Sequence, residues 1–388
     1  MDNECLDILN STLRKMQLMI KGKKAVERRY NGGPRHVMWA MRHYDGLIMK
    51  ELVLLNVGMK SCMWNNCRMC GLSTKAEELT ENQVISELDL LSKLPHLKDV
   101  ETKALYISPY SFFSDREMSE ACREKVYNDI IDANQNIEHI VFMTRPEYIS
   151  VDKMKNLRRI LKRQKIRIWM GLETADPFIS KYCIDKGYTI KDVEKVSVIL
   201  KEFDVGTGIW VMLKPPFLSE REGIEDALKT IKIGLENDYY IRIMPTEVME
   251  YTITDVLYKI GAYRPPYLWS VIEVLKKLTP EQRIRVDVSG PHFEQEWDIV
   301  PREMHSSHIY EFPGNCKKCN KNALDAIFNF NTTKDIKAID NISCECKDRW
   351  YKNINEDMAS LNYRLHFQYL NVIEQITSGR YLQQLESK

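Results

Sequence analysis

Three cysteines fall within nine residues in Cys62-Met-Trp-Asn-Asn-Cys67-Arg-Met-Cys70-Gly71, spaced Cx4CxxC. Thiolates this close can hold a metal centre, but three cannot saturate one that prefers four ligands. A [4Fe-4S] cluster on three cysteines keeps one iron open, and an open iron can bind a reactant. Two blander readings stand beside this one: a zinc knuckle lacking its fourth ligand, and three thiols that merely pack. Packing fits poorly with a loop that directly follows the apolar run Leu52-Val-Leu-Leu-Asn-Val57, because the tip of a strand is not a core. The spacing alone does not separate iron–sulfur from zinc.

A second group is complete in itself. Cys316-Lys-Lys-Cys319 is followed 25 residues on by Cys344-Glu-Cys346. Four cysteines as CxxC plus CxC make a closed ligand set and favour a structural Zn²⁺, with an auxiliary iron–sulfur cluster as the alternative. Such a site contributes on the order of 10 kcal/mol of folding free energy to a small lobe. Of ten cysteines, Cys5, Cys122 and Cys183 stand alone and are expected to pack or face solvent. The stretch Met1-Asp-Asn-Glu-Cys5 does not open a signal peptide, so a reducing, cytoplasmic setting is expected, where clustered thiols bind metal more often than they pair. No apolar run is long enough to span a bilayer, and no membrane partner is expected.

The elements that must position these thiols follow a rhythm from residue 50 to about 270. Runs rich in Val, Ile and aromatics recur at Glu51–Val57, Lys103–Ser108, His139–Met143, Ile166–Gly171, Gly206–Leu213 and Tyr239–Met244. Helical spacing fills Glu81–Leu91, Ser119–Ala133, Ile190–Phe203 and Glu220–Leu235. Continuous apolar strands alternating with helices predict a parallel sheet covered on both faces, open or closed into a partial barrel. Ile284–Val288 reads as one more strand. With 388 residues, the chain divides by this reading into a basic helical extension (1–45), a core (46–290) and a cysteine lobe ending in a helix (291–388). Hydrophobic residues make up 44 % and charged residues 29 %, as in a globular protein, and the net charge is only +1. No global field therefore draws the molecule to nucleic acid. Local basic segments do exist. Nine Lys or Arg lie between Arg14 and His43 against one acid, and residues 153–167 hold eight basic residues and no acid. Either is a phosphate-facing patch or a solvated face.

In parallel α/β sheets, chemistry collects where strands end. Ser108 and Ser111 follow the second strand with a rigid turn between them. Glu173 lies just past Gly171 at the end of the fourth, placed either to accept from ribose hydroxyls or to favour a helix N-terminus. Lys214 precedes two prolines after the fifth; the restricted backbone aims its ammonium, or it is a surface lysine in a turn.

The strand rhythm with a three-cysteine loop after strand one resembles the radical S-adenosylmethionine (SAM) enzymes over roughly residues 50–250. The resemblance implies a partial (β/α)6 barrel, a [4Fe-4S] cluster on Cys62, Cys67 and Cys70, and SAM chelating the open iron. It also implies a reducing electron donor, and cleavage of SAM to a 5′-deoxyadenosyl radical that takes hydrogen from the substrate. The commoner spacing there is Cx3CxxC. Longer stretches, Cys67-Arg-Met-Cys-Gly71, Gly171-Leu-Glu-Thr-Ala175, Leu213-Lys-Pro-Pro-Phe-Leu-Ser-Glu220, Tyr263-Arg-Pro-Pro-Tyr-Leu-Trp-Ser270 and the terminal cysteine group, look like the archaeosine-biosynthesis radical SAM family. That family acts beside a lysine-adding synthase on the deazaguanine of tRNA, breaking a C–N bond of the lysine adduct. Carried over, Met69 would pack on the adenine of SAM and Glu173 would bind its ribose. Ser108 and Ser111 would meet its amino group, and Lys214 its carboxylate or the substrate. The gap between the first two cysteines is longer in that family, and the usual Gly-Gly-Glu type sequence is missing here. Three readings result: a radical SAM enzyme on modified RNA, one on a free metabolite such as a nucleoside or amino-acid derivative, and a non-catalytic zinc-bound adaptor.

Overall fold

The computed structural model describes residues 3–23, 36–55, 57–71, 78–108, 110–289 and 309–386. Parallel strands β2 (Leu47–Leu55), β3 (Thr102–Ser108), β4 (His139–Thr144), β5 (Lys165–Glu173), β6 (Val205–Leu213), β7 (Tyr240–Pro245) and β9 (Val286–Val288) lie side by side in that order. β1 (His36–Tyr44) pairs antiparallel with β2 at one edge, and a two-stranded ribbon of β8 (Val248–Met249) and β10 (Ile309–Glu311) stands apart. Helices on the outer face follow the strands in turn: α2 (Glu81–Leu91), α3 (Glu120–Lys125, continued by a π-helical stretch), α4 (Val151–Ile160), α5 (Ile190–Glu202) and α6 (Glu220–Glu236). Capping boxes start α2 at Thr80 and Gln83 and α6 at Ser219 and Glu222. After β7 come α7 (Ile253–Lys259) and α8 (Leu268–Lys276), then α9 (Asn320–Thr333), α10 (Lys347–Asn355), α11 (Leu361–Thr377) and α12 (Arg380–Glu386). The chain opens with α1 (Asn3–Lys21).

The sheet curls into a half-barrel, and buried charge marks the curl. Glu51 of β2 is fully buried. Its carboxylate lies 3.7 Å from Arg42 of β1 and 3.6 Å from Arg242 of β7, five strands away. Inward positions alternate with the outer apolar ones and carry Tyr106, Trp169, Trp210 and Arg242, so the lumen is aromatic and charged. Gly208 has no side chain because a Cβ there would lie 2.5 Å from the Trp169 ring. Helix α9 touches both β1 and β9, bridging the open side of the barrel. Its Asn331 side chain pairs with the backbone of Val288 at 2.7 and 2.8 Å, covering the edge strand.

Three expectations change. Residues 36–44 form a strand instead of a basic loop, with Arg42 turned into the lumen. The basic run 153–167 is a helix to Ile160, a turn and the start of β5; Arg167 is buried and paired with Asp45. The four-cysteine region is helical and its core is continuous with that of the barrel, through Ala323, Ile327, Phe330 and Trp350. The turn expected at residues 31–34 and the basic residues 24–35 lie outside the described residues.

Candidate active site and metal centre

The cysteine loop leaves the C-terminal end of β2, as the strand pattern requires. Cys67 is buried; Cys62 and Cys70 are partly exposed. Burial pushes the Cys62 thiol up and the Cys67 thiol to about 11, while Lys186 and Lys21 pull Cys67 down.

The loop is clamped from far along the chain. Lys21, the last residue of α1, is buried and donates to the Asn65 carbonyl at 2.9 Å, the Asn65 side chain at 3.0 Å and the Cys67 carbonyl at 3.4 Å. Gln17 adds a bond to the same Cys67 carbonyl at 3.4 Å. Arg68 is fully buried. Its guanidinium donates to the Tyr182 carbonyl, the Asn10 side chain and the Tyr369 hydroxyl, and lies 4.8 Å from the Tyr369 ring. One small core therefore joins α1, α11 and the cysteine loop, with Leu13, Ile20, Cys67, Met69, Tyr369 and Val372 in it. Arg14 reaches Asp185 at 2.5 Å, and Trp64 donates to the Asp185 carbonyl at 2.7 Å. Of the residues read as part of a phosphate-facing patch, Lys21 and Arg42 are thus engaged inside the protein, and Arg14 is half-exposed but paired with Asp185.

Across the rim, β5 runs two residues beyond its expected end, so Glu173 is the last residue of the strand, at φ 68°. It is buried. One oxygen accepts from Lys186 at 2.9 Å and the other, Oε2, has no partner. Burial acts to lower the Lys186 ammonium, but the adjacent Glu173 carboxylate outweighs it and holds it charged. A side chain at Gly171 would strike this pair at 2.7 Å. Ser111 is buried with its hydroxyl unpartnered; Ser108 ends β3, and its side chain lies outside the described residues. Glu117 accepts from the Met63 backbone at 3.4 Å, and burial raises its carboxyl to about 8.

Lys214 departs from expectation. Its ammonium is buried and bound to Glu220 at 2.8 Å and to the Arg264 carbonyl at 3.1 Å. Its backbone lies at φ 60°, and its ammonium is turned to the first residue of α6. Lys21, Arg68, Glu117 and Lys186 escaped sequence reading, since nothing local marks a buried charge.

The terminal cysteines converge. The sulfurs of Cys316 and Cys319 are 3.7 Å apart, Cys316 and Cys344 3.6 Å, and Cys319 and Cys346 3.5 Å. All four lie within 4.8 Å of one another, as no other three or more His, Cys, Asp or Glu do among the described residues. A backbone N–H from Cys319 draws the Cys316 thiol down to about 6, and burial raises Cys346 to about 12. The Trp269 indole donates to the Cys346 sulfur at 3.3 Å. Of the lone cysteines, Cys122 and Cys183 are buried and Cys5 is exposed, as expected.

No family model matches the chain. The archaeosine synthase subunit beta of Thermococcus kodakarensis is 29 % identical over 291 residues, which are 73 % of this chain and 84 % of the relative. That of Methanosarcina acetivorans is 26 % identical over 299 residues, 75 % and 81 % respectively. Among solved structures, Elp3 of Methanocaldococcus infernus is similar at a TM-score of 0.45 and 20 % identity, across 73 % of this chain and 63 % of that one. Over about three quarters of its length the chain is thus similar to two archaeosine synthase beta subunits, and it carries its cysteine loop on the first parallel strand of a half-barrel.

Proposed function

We propose that this enzyme opens a C–N bond of a lysine-modified deazaguanine in tRNA, using a hydrogen abstraction that starts from SAM. The observation that carries the radical step is a loop of three cysteines that leaves the C-terminal end of the first parallel strand of the half-barrel. The residues fit a [4Fe-4S] cluster: Cys62, Cys67 and Cys70 would hold it, and Lys21 and Lys186 offset the charge of the thiolates. Bound there, the cluster supplies the electron and the open iron at which SAM is cleaved to the 5′-deoxyadenosyl radical.

The chain's own share is position. Glu173 offers its unpartnered Oε2 to the ribose hydroxyls, with the carboxylate fixed by Lys186. Ser111 offers a buried hydroxyl to the amino group, and Met69 lies in the loop next to Cys70. Clamping by Lys21 and Arg68 keeps the reacting atoms within the small tolerances that hydrogen transfer demands. At the terminal site, sulfur separations of 3.5 to 3.7 Å match the edge, about 3.8 Å, of a tetrahedron with Zn–S near 2.3 Å. An auxiliary cluster binds each thiolate to its own iron and spreads them wider, so zinc is the better occupant. The tRNA substrate rests on the names of the relatives; a reducing donor and a lysine-adding synthase in the cytoplasm complete this reading.

A second reading, a free metabolite, is favoured by one fact: the charge is near neutral and part of the basic N-terminus is engaged internally. The test is anaerobic reconstitution, metal analysis and addition of dithionite, SAM and adduct-bearing tRNA. About four irons and one zinc, with 5′-deoxyadenosine and formamidine in the tRNA, are expected. 5′-Deoxyadenosine with unchanged tRNA favours the metabolite; no SAM cleavage at all overturns the radical step.

A further inference from the structure

Between the corner after β6 and the C-terminal helices lies a cavity of about 330 Å³, lined by Lys214, Glu220, Arg264, Tyr267, Arg364 and Gln368 among others. That volume is at the small end of the range for small-molecule sites. Lys214 directly follows the last residue of β6, so the cavity sits at the same C-terminal end of the sheet as the cysteine loop.

Its charges are unevenly matched. Glu220 is saturated: one oxygen takes Lys214, and the other takes the Tyr267 N–H at 2.7 Å and the Ser270 hydroxyl at 2.6 Å. Arg264 is left over. Its Nη2 donates to the Gly314 carbonyl at 3.0 Å, its guanidinium lies 3.4 Å over the Tyr267 ring, and its Nη1 is buried without a partner. Among the described residues it makes no ion pair with a carboxylate. Arg364 pairs Nη2 with Glu222 at 2.6 Å and gives Nη1 to the Ala359 carbonyl, which leaves only Nε buried and unpartnered, and Gln368 Oε1 is likewise orphaned. A partly buried guanidinium without a counter-ion is costly unless an anion completes it. Unpartnered N–H groups from two separate elements, one on each guanidinium, suit a tetrahedral oxyanion, which presents more than two oxygens, better than a planar carboxylate.

We propose that this cavity binds a phosphate group of the substrate, held by Arg264 and Arg364. The assignment rests on the nucleotide reading above and deepens it. The phosphate comes either from a polynucleotide backbone or from a free nucleotide, and the experiment separates the two.

Binding to the reconstituted enzyme is measured with a tRNA transcript over a salt series, and with guanosine 5′-monophosphate against guanosine. Arg264→Gln should weaken transcript binding about tenfold and reduce the salt slope by about one. Gln368→Glu keeps both guanidiniums and sets a carboxylate beside them. It should weaken binding similarly at an unchanged melting temperature, which covers the case in which Arg264→Gln fails to fold. Binding of the monophosphate but not the transcript would keep the phosphate site while removing the RNA reading. The proposal is overturned if both variants retain wild-type affinity and slope, or if the wild type binds neither transcript nor monophosphate.

Discussion

Cys62, Cys67 and Cys70 lie in a loop whose framework comes from elsewhere: Lys21 and Gln17 of α1, Tyr182, and Tyr369 of α11. Cys316, Cys319, Cys344 and Cys346 form their own framework, with three sulfur separations of 3.5 to 3.7 Å, all four within 4.8 Å, and α9 and α10 starting directly from two of them. The difference follows from coordination. A centre that must leave one position to a reactant cannot close around itself, so distant parts of the protein must hold its ligands in place. A centre with four protein ligands needs no such help, and metal binding there is folding free energy. The first cluster should therefore be chemically indispensable and mechanically dependent, and the second the reverse.

Cys67→Ala tests the first half most severely. We expect loss of cluster iron and at least a hundredfold loss of 5′-deoxyadenosine, with the melting temperature lowered by only a few degrees, as for removal of one small buried group. Normal SAM cleavage by the purified variant would remove the cluster from these thiols. Cys319→Ser tests the other half. Zinc should be lost and the melting temperature should fall by roughly ten degrees or more, since several kcal/mol of metal-linked stability go with it. An unchanged melting temperature with lost turnover would instead mark the terminal site as an auxiliary redox cluster.

Lys21→Met probes the clamp without touching a ligand. The apolar stem stays, and the donors to Asn65 and Cys67 disappear. Iron content should stay near wild type while kcat falls about 10- to 100-fold, because misplacement by about 1 Å suffices for such a loss. Turnover at the wild-type rate would show that the loop holds itself.

The same contrast explains what could be read in advance. Cysteine spacing is local, and so are the outer apolar runs that mark β2 to β7 and β9 and the helical spacing between them. β1 was missed because its inward face carries Arg42, and a polar lumen interrupts the apolar pattern that marks a strand. Arg68 and Tyr369 are 301 residues apart, and a lysine such as Lys21 or Lys186 ordinarily signals surface. Lys214 misled for the opposite reason: the prolines that follow it suggest a restricted backbone, but only the fold shows that Glu220 lies beside its ammonium.

The mildest test concerns the bed of the open site. Asp226 of α6 is buried behind the Glu173–Thr174 corner. One of its oxygens accepts from the Thr174 hydroxyl at 2.6 Å, and the other has no partner. Burial raises its carboxyl from 3.8 to about 7. Between those values the folded chain keeps a proton that the unfolded chain releases, so stability falls as pH rises, by up to about 1.4 kcal/mol per pH unit. Below about 4 both states are protonated and the penalty vanishes. Asp226→Asn keeps an acceptor for Thr174 and cannot ionise. The variant should match the wild type near pH 4, exceed it by about 1–3 kcal/mol at pH 8, and lose this part of the slope in urea melts across the range. Chelation of the terminal metal should lower both proteins equally at each pH, because the cage lies outside this carboxyl's surroundings. An unaltered slope in the variant would place the titrating group elsewhere and leave the open site bedded on neutral contacts alone.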